Sequence, residues 1–298
     1  MTDTNSSPVT GEEGWATRHN RRMHWTAMGS GDYTIVLEAG IAASSSAWSL
    51  VRAPLAAFAR VVAYDRVGYG TGNRAQDTTV DDALLDLEAV LEQSGANGPL
   101  ILVGHSWGGV LIRLFAARHP DRVAALVLVD ATHEGMRIMR SSVFVLLSRI
   151  AATMQARKAR TGALRRSLEA GRGELGRVLA TLPAVLRGEL LDELSSPTTW
   201  HQSGYELRGV PTALRSMPSA SLDVPVIAVI GTQAVGAAER KARTAIRTAY
   251  EAWLPTVPNS RLLEATRSGH AVPLQDPELL VDILRDLVAS LSADEKSV

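Results

Sequence analysis

Strand-length apolar runs alternate with helical patterns along most of the chain. The runs are rich in Val, Ile and Leu, and most of them are followed by a glycine or an aspartate. Such alternation is typical of βαβ units, and near-continuous apolar strands are typical of a mostly parallel sheet that helices cover on both faces. The predicted fold class is therefore α/β. The predicted strands are residues 33–38, 60–64, 100–103, 124–129, 225–230 and 261–265.

Helix signals lie between these runs. Thr79 with Asp82 three residues later forms a capping-box pattern, and leucines then recur at helical spacing. Near the end of the chain, Asp276 suits an N-cap and Pro277 suits the first helical position.

One long stretch interrupts the alternation. About 90 residues without a clear strand separate residue 130 from the strand at 225, and a loop of that length is uncommon inside a compact domain. The predicted organisation is a tail over residues 1–14, a core over 15–133 and 223–298, and an inserted helical lid over 134–222.

Composition excludes several classes of function. The 31 Lys and Arg residues balance 31 Asp and Glu residues, so the net charge of the whole molecule gives no attraction to nucleic acid or to an anionic membrane. The absence of cysteine excludes disulfides and thiolate chemistry. The first residues do not resemble a secretory signal, and no run reaches the roughly 18 apolar residues of a membrane helix. We expect a cytoplasmic protein without integral membrane contact.

The strongest local signal is the sequence Gly-His-Ser-Trp-Gly around Ser106. It matches G-x-S-x-G, and it lies directly between a predicted strand and a predicted helix. A turn this tight forces its central residue into a strained conformation and lifts the serine hydroxyl above the sheet. The helix that follows directs its free N–H groups to the same point. The alternative is a glycine-rich turn whose serine only caps a helix.

With this motif in its strand-turn-helix context, the chain resembles the α/β-hydrolase superfamily. The resemblance implies that Ser106 is a nucleophile and that a histidine late in the chain is its general base. His270 follows the last predicted strand and precedes Asp276, as the catalytic histidine does in that superfamily. The order of serine, acid and histidine along the chain also fits.

The acid departs from the common pattern. Much of the superfamily has an aspartate after the strand that ends near Gly231, where this chain has Ala234. Asp130, at the end of the strand after the nucleophile helix, is the preferred substitute, because the carboxyl ends of parallel strands share one edge of the sheet. Haloalkane dehalogenases and fungal zearalenone lactone hydrolases resemble this arrangement. Glu134 and Glu239 are weaker alternatives, and Asp130 as a mere loop cap stays open.

The resemblance also implies an oxyanion site made of two backbone N–H groups. Trp107, directly after the serine, supplies one. The loop after the first predicted strand supplies the other, and its candidate donor is the N–H of Ile41.

The lid is basic and rich in apolar side chains. Residues 137–187 contain ten Arg and one Lys but only two acidic residues, Glu169 and Glu174. This indicates a solvated helical face or, alternatively, affinity for an anionic substrate or a phospholipid surface. Apolar residues such as Val143 and Leu147 are interpreted as lid core. The candidate pocket residues are His105, His133, Trp48, Met136 and Phe144.

These observations predict a hydrolase that cleaves a small apolar carboxylic ester or lactone through an acyl-enzyme, without a metal or organic cofactor. Other reactions on the same residues remain open, namely amide or thioester hydrolysis, acyl transfer, and cofactor-free lyase or oxygenase chemistry. A non-catalytic receptor that kept the pocket is the alternative from another class. Epoxide hydrolysis and dehalogenation are disfavoured, because relatives with those activities use a carboxylate where this chain has Ser106.

Overall fold

Eight strands form one sheet within residues 11–70, 74–218 and 223–295, the part of the chain that the computed structural model describes. The strand order is β1-β2-β4-β3-β5-β6-β7-β8. β1 and β2 pair antiparallel with their neighbours, and the other strands are parallel. The strands are β1 (Glu12–Arg18), β2 (Arg21–Met28), β3 (Thr34–Glu38), β4 (Arg60–Tyr64), β5 (Leu100–His105), β6 (Val123–Val129), β7 (Val226–Gly231) and β8 (Ser260–Ala265).

Helices cover both faces of the sheet, so the α/β class predicted from the sequence is confirmed. The helices are α1 (Ser49–Ala56), α2 (Val80–Gln93), α3 (Trp107–Arg118), α4 (Ser142–Arg160), α5 (Ala163–Glu169), α6 (Gly173–Thr181), α7 (Ala184–Leu194), α8 (Pro197–Arg215), α9 (Ala237–Trp253), α10 (Val272–Gln275) and α11 (Pro277–Glu295). Short 3-10 helices lie at Ser45–Trp48, Pro120–Arg122, Arg137–Arg140 and Leu254–Thr256.

The central strands are apolar on both sides because each side meets a helical layer. Every residue of β3 is buried, and alternate residues of β3, β5 and β6 belong to two different hydrophobic clusters. One cluster joins the sheet to α2, α3 and α9, and the other joins it to α1 and α11. Continuous burial explains why these strands stand out in the sequence as uninterrupted apolar runs.

The parallel register brings the ends of the strands to one edge. Glu38 pairs with Gly104, His105 with Val129, and Gly231 with Ala265. The loops after β3, β5, β6, β7 and β8 therefore emerge side by side, and ligands of open parallel sheets bind at that edge.

The N-terminal expectation is partly wrong. Residues 1–10 lie outside the described part of the chain, but residues 12–14 belong to β1 and not to a tail. β1 pairs with β2, buries Ala16 and exposes Glu12 and Glu13. Such a half-exposed edge strand keeps the polar composition that indicated a tail.

Five helices, α4 to α8, occupy the stretch between β6 and β7. Leu164, Leu168, Leu186 and Leu190 contribute to a separate hydrophobic cluster. We name residues 134–218 of this insertion the cap. No helix in the described ranges is both long enough and apolar enough to cross a membrane.

Candidate active site

Ser106 lies on the bend between β5 and α3 in a strained backbone conformation. Its φ is 53° and its ψ is −117°, a region that residues with a side chain rarely adopt. Two backbone hydrogen bonds hold the bend: Ser106 N–H donates to Val129 over 3.1 Å, and Thr132 N–H donates to the Ser106 carbonyl over 3.0 Å. The bend is thus fixed to β6 and to the loop after it.

Glycines are needed here because backbone segments approach closely. A methyl group on Gly108 would lie 2.3 Å from the Glu38 carbonyl oxygen, and one on Gly104 would lie 2.6 Å from the nitrogen of Gly109. The first turn of α3 therefore lies directly against the end of β3. This contact brings the serine bend and the loop after β3 together.

His270 and Asp130 form a close polar pair at this edge. Nδ1 of His270 lies 2.5 Å from Oδ2 of Asp130, although 140 residues separate them. Oδ1 of Asp130 accepts a hydrogen bond of 3.0 Å from Gly231 N–H, and Arg243 of α9 forms an ion pair with Oδ2. Burial acts to raise the pKa of Asp130, but His270 and Arg243 outweigh burial and hold that pKa below its usual value. The carboxylate is therefore ionised and positioned against the ring.

The loop that carries His270 is fixed by its backbone. His270 N–H donates to Glu174 of α6 over 3.1 Å, and Gly269 N–H donates to Gln275 over 3.1 Å. The ring of His105 donates through Nε2 to the His270 carbonyl over 2.8 Å. Burial lowers the pKa of His105 to about 3, so this ring is neutral and has one proton to donate.

Ser106 and His270 face one cavity of about 130 Å³, which we name the Ser106 cavity. In the described structure no hydrogen bond joins their side chains; catalytic hydrogen bonds are often long before a substrate binds. The walls are mainly apolar and come from the loop after β3, from α6 and α7 of the cap, and from α10. They include Ile41, Leu175, Val178, Leu179, Leu190, Leu194 and Leu274.

The candidate oxyanion donors also lie here. Trp107 is the first residue of α3, so its N–H has no acceptor in a preceding helical turn. Ile41 lines the Ser106 cavity, and the carbonyl of Gly40 before it accepts a hydrogen bond from Arg66. Arg66 is buried and forms ion pairs with Glu38 at 2.5 Å and with Glu206 of α8 at 2.8 Å.

A second, larger cavity of about 670 Å³ adjoins the first, and most of the residues that line it are polar. The two cavities share Glu193, whose Oε2 accepts hydrogen bonds from Ser44 and Ser46 at 2.6 and 2.7 Å. Burial raises the pKa of Glu193 to about 7. An ionisable group with an altered pKa therefore lies in the wall between the cavities.

Of the five candidate pocket residues, only His105 lines the Ser106 cavity. Trp48 is fully buried beneath it and packs edge-on against His105 with 6.4 Å between the rings. His133 packs between Tyr250 and Trp253, at 5.1 Å from each ring. The assignments of Trp48 and His133 are corrected for that reason.

Met136 and Phe144 are the other two corrections. Both are partly buried and pack against the hydrophobic cluster of α3 and α9, because the first residues of the cap run close to α9, where Gly135 lies against Ala249. The interpretation of Val143 and Leu147 as lid core is also wrong. These side chains are 62% and 61% exposed, and α4 buries its alanines instead.

The alternative acids lie elsewhere. Glu134 forms an ion pair with Arg113 at 2.7 Å, and Glu239 forms one with Arg177 at 3.1 Å. Ala234 follows β7 in the loop whose Gln233 binds the backbone of the His270 loop. Asp130 is thus the carboxylate in contact with the His270 ring among the described residues.

Sequence analysis missed Arg243, Glu174 and Arg66. Each acts through a partner more than 25 residues away, namely Asp130, His270 and Gly40. Arg66 alone carried a local signal, since it follows β4 at the same edge of the sheet.

A sequence model of the alpha/beta hydrolase family matches residues 35–283. Among curated proteins, Rv2715 of Mycobacterium tuberculosis is 30% identical over 285 residues, which cover 90% of this chain and 78% of that protein. YqjL of Bacillus subtilis is 33% identical over 103 residues, and the lipase LipV of M. tuberculosis is 43% identical over 70. Those two matches cover 34% and 24% of this chain, and they span only 41% and 26% of the relatives' own lengths.

Solved structures share the fold at low sequence identity. The epoxide hydrolase CorEH has a TM-score of 0.68 at 20% identity, covering 95% of this chain and all of that one. The enol-lactonase of Burkholderia xenovorans LB400 has 0.66 at 19%, covering 93% and 100%. An esterase of Thermogutta terrifontis has 0.66 at 18%, covering 95% and 99%.

Proposed function

Since the chain belongs to the alpha/beta hydrolase family, we propose that it is a serine hydrolase that cleaves carboxylic esters or lactones through an acyl-enzyme on Ser106. The observation that carries the proposal is the pairing of His270 with Asp130 at 2.5 Å beside a strained serine that faces the same cavity. We further assign residues 12–133 and 223–298 to the catalytic core and the insertion at 134–222, which contains the cap, to a lid over the site.

In the acylation step, Nε2 of His270 takes the proton from the Ser106 hydroxyl as the oxygen attacks the substrate carbonyl. The negative charge that develops on the carbonyl oxygen is bound by the N–H groups of Ile41 and Trp107. Asp130 holds Nδ1–H of His270 and stabilises the imidazolium that forms. The imidazolium then protonates the leaving alkoxide.

In the deacylation step, water enters where the alcohol left, and His270 takes a proton from it. The resulting hydroxide attacks the acyl-enzyme, the oxyanion donors act again, and Ser106 leaves with its proton restored. In a lactone the leaving hydroxyl stays attached to the acyl group. The same residues therefore serve both substrate classes.

The Ser106 cavity supports a small, mainly apolar acyl group. Its walls are leucine-rich; the described residues that line it include no Arg or Lys, and Glu193 is the acidic side chain among them. Similarity to the lipase LipV favours ester chemistry, whereas the esterase and the enol-lactonase share the fold. Similarity to the epoxide hydrolase CorEH is one of fold, because relatives with that activity use a carboxylate at the position of Ser106.

Amide or thioester hydrolysis, acyl transfer and a receptor role are the alternatives. The amide, thioester and transfer reactions use the same acyl-enzyme and differ in the leaving or accepting group. A receptor would keep the cavity without turnover. The expected cytoplasmic location stays a prediction.

The test uses p-nitrophenyl acetate and butyrate with a panel of lactones and thioesters. We expect a burst of p-nitrophenolate equal to the enzyme concentration where deacylation is slower than acylation, and loss of turnover by several orders of magnitude in Ser106→Ala. Ser203→Ala is the matched control, since Ser203 is a buried serine of α8 whose hydroxyl binds the Thr199 carbonyl. Equal rates in wild type and Ser106→Ala would overturn the proposal. No turnover in either, with tight binding of the same compounds, would favour a receptor.

A further inference from the structure

The outer face of α4 carries an exposed apolar stripe. Its five side chains are between 49% and 62% exposed and recur at helical spacing. Ala152, Ala156 and Ala159 on the opposite face are buried, and this face packs toward α8. We name the exposed set the α4 stripe; it consists of Val143, Leu146, Leu147, Ile150 and Met154.

Isolated apolar residues are normal on protein surfaces, but a contiguous set of this size marks an interaction surface. The exposed side chains do not hold α4 in place, because the helix packs on the rest of the cap through its buried alanines. Ile138, in the 3-10 helix that precedes α4 in the chain, is also 65% exposed.

Positive charge accompanies the stripe. Residues 137–160 contain five Arg, one Lys and no acidic residue. Arg137, Arg140, Arg149, Arg157 and Lys158 form no ion pair with a carboxylate within the described ranges of the chain. Arg157 and Lys158 follow Met154 by three and four residues, so they flank the stripe at its C-terminal end.

The charge decides between possible occupants. If a second copy of this chain packed α4 against α4 around a two-fold axis, unpaired cations would face cations. An anionic partner, in contrast, would neutralise the unpaired cations of α4. A basic helix with an apolar outer face also has the composition of helices that lie in the interface of a bilayer, with apolar side chains between the headgroups and cations at the phosphates.

We propose that α4 docks the cap on the surface of an anionic phospholipid bilayer. The helix lies parallel to the surface, the α4 stripe enters the headgroup region, and Arg157 and Lys158 contact lipid phosphates. α6 and α7 of the same cap line the Ser106 cavity. The proposal concerns binding and does not depend on the reaction at Ser106.

The test is flotation of the full chain with vesicles. One set contains phosphatidylglycerol and phosphatidylcholine in equal amounts, and the other contains phosphatidylcholine alone. We expect binding to the anionic vesicles, weakening from 50 to 500 mM salt because headgroup attraction is screened, and little binding to the neutral vesicles.

Two double variants divide the proposal into its apolar and charged parts. Leu146→Gln with Leu147→Gln should weaken binding at least tenfold, and so should Arg157→Gln with Lys158→Gln. Val185→Gln is the matched control, because Val185 is 77% exposed on α7 of the same cap. Thermal stability and p-nitrophenyl butyrate hydrolysis in solution should be unchanged in all three.

The proposal would be overturned if the wild-type protein did not bind anionic vesicles at 50 mM salt. It would also be overturned if the double variants bound these vesicles as strongly as the wild type. Size-exclusion chromatography with light scattering provides a further check. A wild-type dimer that becomes a monomer in Leu146→Gln with Leu147→Gln would assign the stripe to a second copy and also overturn lipid docking.

Discussion

The guanidinium of Arg66 donates a hydrogen bond of 2.7 Å to the carbonyl oxygen of Gly40. The described peptide bonds are all trans, so the N–H of Ile41 points away from the carbonyl of Gly40. We therefore expect the fixed Gly40 carbonyl to hold the Ile41 N–H in its proposed role as an oxyanion donor. Arg66 also donates to the Ala39 carbonyl over 2.6 Å, so two successive peptides are held.

We expect Arg66→Lys to lower kcat about 10- to 100-fold with a smaller change in KM, since removal of an oxyanion donor costs about 100- to 1000-fold and misalignment costs less. A lysine keeps the positive charge for Glu38 and Glu206 but lacks the planar fork that reaches both carbonyls. Steady-state kinetics with p-nitrophenyl butyrate measures both constants.

Arg113→Lys is the matched control for this variant. Arg113 is equally buried, and it forms an ion pair with Glu134 away from the Ser106 cavity. Both variants should lose thermal stability, but kcat should fall only in Arg66→Lys. A parallel fall of kcat in both would show that Arg66 acts through general stability.

Asp130→Asn should lower kcat by about 10⁴, the size of effect seen when an asparagine replaces a triad aspartate and favours the wrong histidine tautomer. The variant suits the backbone, because Asp130 has a φ of 43° and asparagine tolerates that region. Its Oδ1 can still accept from Gly231 N–H. Asp86→Asn is the control, since Asp86 is a buried carboxylate paired with Arg21. Near wild-type turnover in Asp130→Asn would move the role to another group.

The fold could be predicted from the sequence where burial is uniform. The strands ending at Tyr64, Val129 and Gly231 are almost entirely apolar because helices cover both faces, so each is a visible run bounded by a turn residue. β1 has no such run, because it lies at the edge of the sheet and buries Ala16 while its neighbours are exposed. Its pairing with β2 is visible only in the structure.

The candidate site was predictable where chemistry is tied to strand ends. Ser106, Asp130 and His270 each follow a strand of the parallel sheet, so topology alone brings them to one edge. The pocket walls were not predictable. Helical spacing shows on which face of a helix a leucine lies, but it does not show which other element that face contacts. Leu190 of α7 reaches the Ser106 cavity, whereas Met136 packs on the core.

Glu193 should make stability depend on pH. Its pKa is raised by burial from 4.5 to about 7, so the folded protein keeps this proton at pH values where the unfolded chain has lost it. The stabilising contribution is complete below about pH 4.5 and is lost as the pH rises through about 7. We expect the Tm of Glu193→Gln minus that of wild type to increase from pH 5 to pH 7 and to level off by pH 8, in differential scanning calorimetry.

Glu189→Gln, an exposed change on the same helix, is the control for Glu193→Gln. Its Tm difference from wild type should stay constant over that pH range. A constant difference for Glu193→Gln as well would contradict a raised pKa in the folded protein.

Leu190→Ala should shift acyl-chain preference toward longer esters. Leu190 lines the Ser106 cavity of about 130 Å³, and removal of its side chain opens space for methylene groups of the substrate. Each buried methylene contributes about 0.8 kcal/mol, so the kcat/KM ratio of p-nitrophenyl octanoate to acetate should rise roughly tenfold or more. Leu186→Ala on the same helix is the matched control: both leucines are 6% exposed and belong to one cap cluster, but Leu186 does not line the cavity. Each variant should lose about 2–5 kcal/mol of stability, so equal shifts in chain preference would indicate loosening of the cap and not added cavity volume.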